Sequence, residues 1–124
     1  MILLPLIFTT ATVFAANDAP VTAPETTTAF KQVQQGHAVL LDVREQDEIA
    51  QGAFKSAVKF PTSQLNTPEW GKFLSTLDKK KPIYVYCRSG RRAEKTAQLL
   101  KENGFNAKNI GGYDDIKKLE NSAK

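Results

Sequence analysis

Residues 84–100 read YVYCRSGRRAEKTAQLL and hold the only cysteine of the chain, Cys87. An apolar run of strand length, IYVYC, ends on that cysteine. A helical pattern then follows, with Ala93, Ala97 and Leu100 on one face and Glu94, Lys101 and Glu102 elsewhere. The residues between form a strand-to-helix junction. Backbone N–H groups at a helix start lack internal partners, so a tight loop there can turn several of them toward one anion. Gly90 gives the backbone conformations that a side chain forbids. Arg88, Arg91 and Arg92 crowd the same junction, and the helix carries partial positive charge at this end. Both effects favour thiolate over thiol and make Cys87 a nucleophile. The bland alternative is an inert buried cysteine. Three guanidinium groups within five residues of the thiol speak against it. No histidine base is expected, because the one histidine, His37, falls in a turn before the first strand.

Working outward, the strand-then-helix unit recurs. AVLLDV, Ala38 to Val43, is a continuous apolar run of the kind seen in strands buried on both faces. Before it, Ala29 to Gln35 suits a short helix that Gly36 stops. After it, Arg44 to Gln51 suits a short surface helix, and Ala57 to Phe60 a second strand ended by Pro61. Thr67 to Leu77 carries Trp70, Phe73, Leu74 and Leu77 at helical spacing, with Thr67 or Ser63 as the cap, Pro68 in the first turn and Trp70 as a core anchor. Pro82 is tolerable at the start of the cysteine strand. Gly104 ends the next helix, a strand runs near Ala107 to Ile110, and Gly111 and Gly112 lead into a terminal helix with Ile116 and Leu119. This alternation predicts an α/β fold of three layers, α/β/α, around a mostly parallel central sheet. In such sheets ligands bind beyond the carboxyl ends of the strands, which is where Cys87 stands.

The 124 residues suit one domain with a real core. A net charge of +4 does not indicate nucleic acid here, since the basic residues outside Lys79 to Lys81 are mixed with carboxylates and no aromatic residues interleave them. The charge instead favours small anionic substrates. The start, MILLPLIFTTATVFAANDAP, reads as a secretory signal peptide over residues 1–16, too short in its apolar part to span a bilayer comfortably. Val13 and Ala15 occupy the small positions before a cut near Ala16, although no Lys or Arg precedes the run. Residues 17–28 read as a linker, leaving 29–124 as the domain in an exported, periplasmic protein. In an oxidising compartment a lone thiol calls for a chemical reason.

Four segments together resemble a known family. LDVRE at Leu41 to Glu45, QGAFKSAVKFP at Gln51 to Pro61, YCRSGRRA at Tyr86 to Ala93 and NIGGYDDI at Asn109 to Ile116 look like a single-domain rhodanese, a thiosulfate sulfurtransferase, closest to the small exported rhodaneses of the phage-shock type. The likeness runs from about Pro24 to Leu119. It implies that Cys87 attacks the outer sulfur of thiosulfate, releases sulfite and becomes a persulfide, which passes its sulfur to cyanide or a thiol. It implies further that the loop from Arg88 through Ser89, Gly90 and Arg91 to Arg92 binds the anion, with Arg88 and Arg92 matching the family's basic positions. Asp42 and Arg44 match acidic and basic positions that place loops. No metal or organic cofactor and no stable membrane span is implied, and a monomer is expected.

One motif departs from the family. Where many relatives have Gly-His-Ile-Pro-Gly-Ala, this chain has Gly52, Ala53, Phe54, Lys55, Ser56 and Ala57, which bears on how that loop is held. Two alternatives stay open. One is a sulfur-carrier or partner-binding module of the same fold with little turnover. The other is a cysteine phosphatase or arsenate reductase, whose loop needs arginine six positions after the cysteine; here Ala93 stands there and Arg92 falls one residue earlier.

Overall fold

A computed structural model describes residues 22–122. Four strands, β1 (Val39–Asp42), β2 (Ala57–Lys59), β3 (Ile83–Cys87) and β4 (Ala107–Gly112), form one sheet in the order β2-β1-β3-β4, every neighbouring pair parallel. Parallel neighbours need crossovers, and helices supply them: α1 (Ala23–Gln34) precedes β1, α2 (Gln46–Ala50) and α3 (Pro68–Ser75) flank β2, and α4 (Arg91–Glu102) and α5 (Tyr113–Ser122) flank β4. The order places the cysteine strand in the middle of the sheet.

Because side chains alternate along a strand, each central strand supplies two cores. Leu41, Val43, Ile83, Val85 and Cys87 face one side, where Ala93, Ala97 and Leu100 of α4 meet them and Trp70, Phe73 and Leu74 of α3 pack from outside. Leu40, Tyr84 and Tyr86 face the other side, with Ala29 of α1 and Ile116 of α5. Phe60 stacks on Phe73 with ring centroids 4.6 Å apart and tilts against Trp70 at 5.4 Å, so Trp70 is the core anchor expected of it. This is the three-layer α/β/α sandwich that the strand and helix patterns predict.

Three local expectations are corrected. The segment read as linker through Thr28 is helical from Ala23, because Thr22 and Glu25 close a capping box: the Glu25 carboxylate accepts the Thr22 N–H at 2.8 Å, and the Thr22 hydroxyl oxygen accepts the Glu25 N–H at 3.4 Å. Thr67, not Ser63, is the N-cap residue of α3, but without the side-chain hydrogen bond expected of a threonine cap. The Thr67 hydroxyl turns back to the Gln64 carbonyl, within a short 3-10 turn (Thr62–Gln64) that the sequence reading did not include, and Ser63 bonds Glu45 instead. The last strand runs on to Gly112, since Gly111 and Gly112 pair with Tyr86 and Cys87. The expected signal peptide and its cut lie outside the described residues. Among those described, no helix is long and apolar enough to cross a membrane.

Candidate active site

The end of β3 decides the geometry of the site. Cys87 is the last strand residue and is fully buried. The chain turns at once: Gly90, at φ +92°, is the N-cap of α4 in the left-handed conformation that glycine alone adopts freely. That turn brings two backbone N–H groups onto the sulfur, Gly90 N–H donating at 3.0 Å and Ala93 N–H at 3.4 Å. Donors fixed in this way stabilise negative charge on sulfur without having to reorganise, and the start of α4 adds its partial positive charge. Gly112, opposite Cys87 on β4, allows the loop to close, since any side chain there would run into the Arg88 carbonyl.

The expected anion-binding residues separate into two groups. Arg88, Ser89 and Arg91 are exposed at the rim of the turn, and among the described residues neither Arg88 nor Arg91 is ion-paired. Arg92 is engaged elsewhere. Its Nη1 and Nη2 donate to Glu48 Oε1 and Oε2 at 2.6 and 2.8 Å, a bidentate pair joining α4 to α2. Arg92 holds the Glu48 carboxyl at about 2, against burial that works to raise it, and Glu48 in turn raises the Arg92 guanidinium above its ordinary value. Glu48 also accepts the Glu45 N–H, and Glu45 binds Ser63 through both its N–H and its hydroxyl, so α2 is tied to the turn after β2.

Asp42 and Arg44 lie behind the cradle. Arg44 donates to Asp42 from its N–H, Nε and Nη2 at 2.7 to 3.1 Å, and its Nη2 also reaches the Gly52 carbonyl at 2.7 Å. The Tyr86 hydroxyl adds a 2.6 Å bond to Asp42 Oδ2. Burial and that carboxylate together push the Tyr86 phenol far up, so it stays a donor. Burial alone would lower the Arg44 guanidinium, but its bonds to Asp42 and the Asp42 charge outweigh that and raise it. The guanidinium also lies 4.2 Å from the Tyr113 ring centroid. The pair thus fixes the end of β1 to the divergent loop 52–57. That loop lacks the family's histidine and proline, and Phe54 holds it instead, packing on Phe30, Tyr86 and Tyr113 at 5.0 to 5.3 Å between centroids.

Sequence reasoning missed Glu48 and Tyr86 as members of this assembly, and also Asn109, whose Nδ2 donates to the Gly90 carbonyl at 2.9 Å. The spacing of Glu45 and Glu48 signals a helix start, but nothing local names a partner on α4. A surface cavity of about 720 Å³ on the α1 and α5 side, floored by Phe30, Phe54, Tyr113 and Ile116, includes no cradle residue. Reactive groups converge at Cys87 rather than there. Among the described residues no cluster of His, Cys, Asp and Glu is set to hold a metal.

Comparison with known proteins agrees with this geometry: residues 26–119 match the rhodanese-like domain family. The chain belongs to that family. Thiosulfate sulfurtransferase GlpE of Coxiella burnetii is 31% identical over 91 residues, covering 72% of this chain and 80% of that protein. The human single-domain sulfurtransferase superposes with a TM-score of 0.61 at 25% identity, over 80% of this chain and 95% of that one. A tRNA uridine(34) hydroxylase of Prochlorococcus marinus is 33% identical over 104 residues, which is 76% of this chain and 32% of that longer protein. The match spans 57%, 22% and 66% of the length of three further curated relatives. Rhodanese-like domains therefore occur both as small sulfurtransferases and inside larger enzymes.

Proposed function

We propose that this rhodanese-like domain moves the outer sulfur of thiosulfate to cyanide or a thiol through a persulfide on Cys87. The observation that carries the reading is the convergence of the Gly90 and Ala93 N–H groups on the Cys87 sulfur. The thiolate attacks the outer sulfur of thiosulfate; a new S–S bond forms while the old one breaks, and sulfite leaves with that electron pair. The terminal persulfide sulfur, negatively charged, then lies where the turn's donors and the rim cations Arg88 and Arg91 favour an anion. Cyanide attacks that sulfur and departs as thiocyanate, or a thiolate departs as a new persulfide; either way the electron pair of the S–S bond returns to Cys87. Neither half needs a metal or organic cofactor. Arginine is missing from the position that phosphatase loops require, and Ala93, fully buried against Cys87, fills it.

Intact mass tests the reading. Mixing with thiosulfate is expected to add one sulfur atom, cyanide to remove it with formation of thiocyanate, and Cys87→Ser to abolish both. No gain at millimolar thiosulfate refutes the reading, and a stable gain without turnover identifies a sulfur carrier instead. The apolar start of the chain supports export with a cut near Ala16, for which N-terminal sequencing of protein from the exported fraction is the test. We take the working unit to be a monomer, to be checked by sedimentation.

A further inference from the structure

Gly90 is held from two sides. Its N–H meets the Cys87 sulfur at 3.0 Å, and its carbonyl accepts both the Glu94 N–H that opens α4, at 3.0 Å, and the carboxamide Nδ2 of Asn109, at 2.9 Å. Asn109 arrives from the neighbouring strand. It pairs with Val85 just before the register of β3 and β4 shifts, and its Oδ1 accepts the Gly111 N–H at 2.9 Å, spanning that irregularity. Its Nδ2 also donates to Glu94 Oε2 at 3.1 Å. With bonds at both ends, the carboxamide has one orientation.

This arrangement answers a difficulty built into the turn. Only two soft dihedrals separate the Gly90 N–H from the Gly90 carbonyl, and glycine leaves both softer than any other residue does. The conformation that aims the N–H at sulfur is therefore one of several that Gly90 can visit. Fixing the carbonyl from β4 removes that freedom.

We propose that Asn109 is the positioning residue of the cradle: by holding the Gly90 carbonyl it keeps the Gly90 N–H on the Cys87 sulfur, and so sets the reactivity of that sulfur. The proposal deepens the sulfur-transfer reading and shares its site. Its role is indirect, because the carboxamide contacts Gly90, Gly111 and Glu94 and acts on the sulfur through the Gly90 peptide.

The test measures Cys87 in two ways, by alkylation with iodoacetamide at pH 7 and by single-turnover sulfur uptake from thiosulfate. Asn109→Leu keeps the branched shape and loses all three bonds. Asn109→Asp keeps the acceptor for Gly111 and loses the donor to Gly90. Each is expected to slow alkylation and the saturating rate of uptake about tenfold, the effect of removing one fixed donor from a charged sulfur. In the neutral Leu variant, half-saturation by thiosulfate should stay within about twofold, since the rim arginines are untouched. Asn103→Ala, which removes a side-chain bond to the Leu99 carbonyl at the far end of α4, serves as the control for general loosening and should lower the melting temperature without slowing alkylation. Wild-type rates in the Asp variant, or equal slowing in Asn103→Ala, overturn the proposal. If the Leu variant does not fold, Asn109→Ala, equally neutral and without the bond to Gly90, carries the test, and wild-type rates in it overturn the proposal. Should the wild type take up no sulfur while alkylation still depends on Asn109, the sulfur-transfer reading fails and the positioning role stands.

Discussion

Replacing Glu48 with Gln removes one charge from the pair that joins α2 to α4 and leaves the shape intact. A carboxyl held at about 2 instead of 4.5 corresponds to roughly 3 kcal/mol of preference for the charged form in the folded protein. Glu48 and Arg92 keep 22% and 30% of their side-chain surface exposed, so solvent screening cuts the usable part to about 1.5–2 kcal/mol. The direction with pH follows from the depressed value. The stabilisation is fully present above about 4.5, where the unfolded chain is also ionised, and fades as pH falls toward 2. Urea unfolding of wild type and Glu48→Gln at pH 7, 4.5 and 3 should therefore show a gap of about 1.5–2 kcal/mol at neutral pH that narrows steadily on acidification. A double-mutant cycle with Arg92→Gln should return most of that energy as coupling. A gap below about 0.5 kcal/mol at pH 7, the range of an ordinary exposed pair, or one that stays constant down to pH 3, would refute the reasoning.

Three further outcomes follow from the same geometry. Arg88→Ala is expected to raise the thiosulfate KM severalfold with the melting temperature unchanged, because Arg88 is exposed and unpaired among the described residues. Arg92→Ala leaves Glu48 without its partner and should destabilise the fold by about 2 kcal/mol, seen as a lower melting temperature before any kinetic effect is read. Tyr86→Phe removes the hydroxyl bonded to Asp42 while Arg44 still neutralises the carboxylate, and should cost about 1–2 kcal/mol in urea unfolding with Cys87 alkylation unaltered.

The central strands were legible because burial on both faces writes a continuous apolar run, as in AVLLDV and IYVYC. The cradle was legible because its parts are contiguous: cysteine, glycine and the first helical N–H groups span only residues 87–93. The start of α1 was not, since its composition of Ala, Pro and Thr suggests a linker while the reciprocal bonds of Thr22 and Glu25 start a helix. Glu48 and Asn109 were hidden for a different reason. Each meets the cradle from a separate element, and the sequence separations, 44 residues from Glu48 to Arg92 and 19 from Gly90 to Asn109, carry no local pattern. The divergent loop was misleading in the opposite sense: losing histidine and proline suggests looseness, yet Phe54 supplies an aromatic contact that fills the space behind Tyr86.

The complete burial of Cys87 has a consequence for order of events. Cys87 is 0% exposed, so on the proposed transfer a small donor needs less opening of the turn than a bulky protein thiol or disulfide does. In the proposed transfer the reactive atom would sit one S–S bond, about 2 Å, beyond the Cys87 sulfur. The acceptor would then meet the cargo rather than the residue, while the burial that limits donors also shields the empty thiol from stray oxidation.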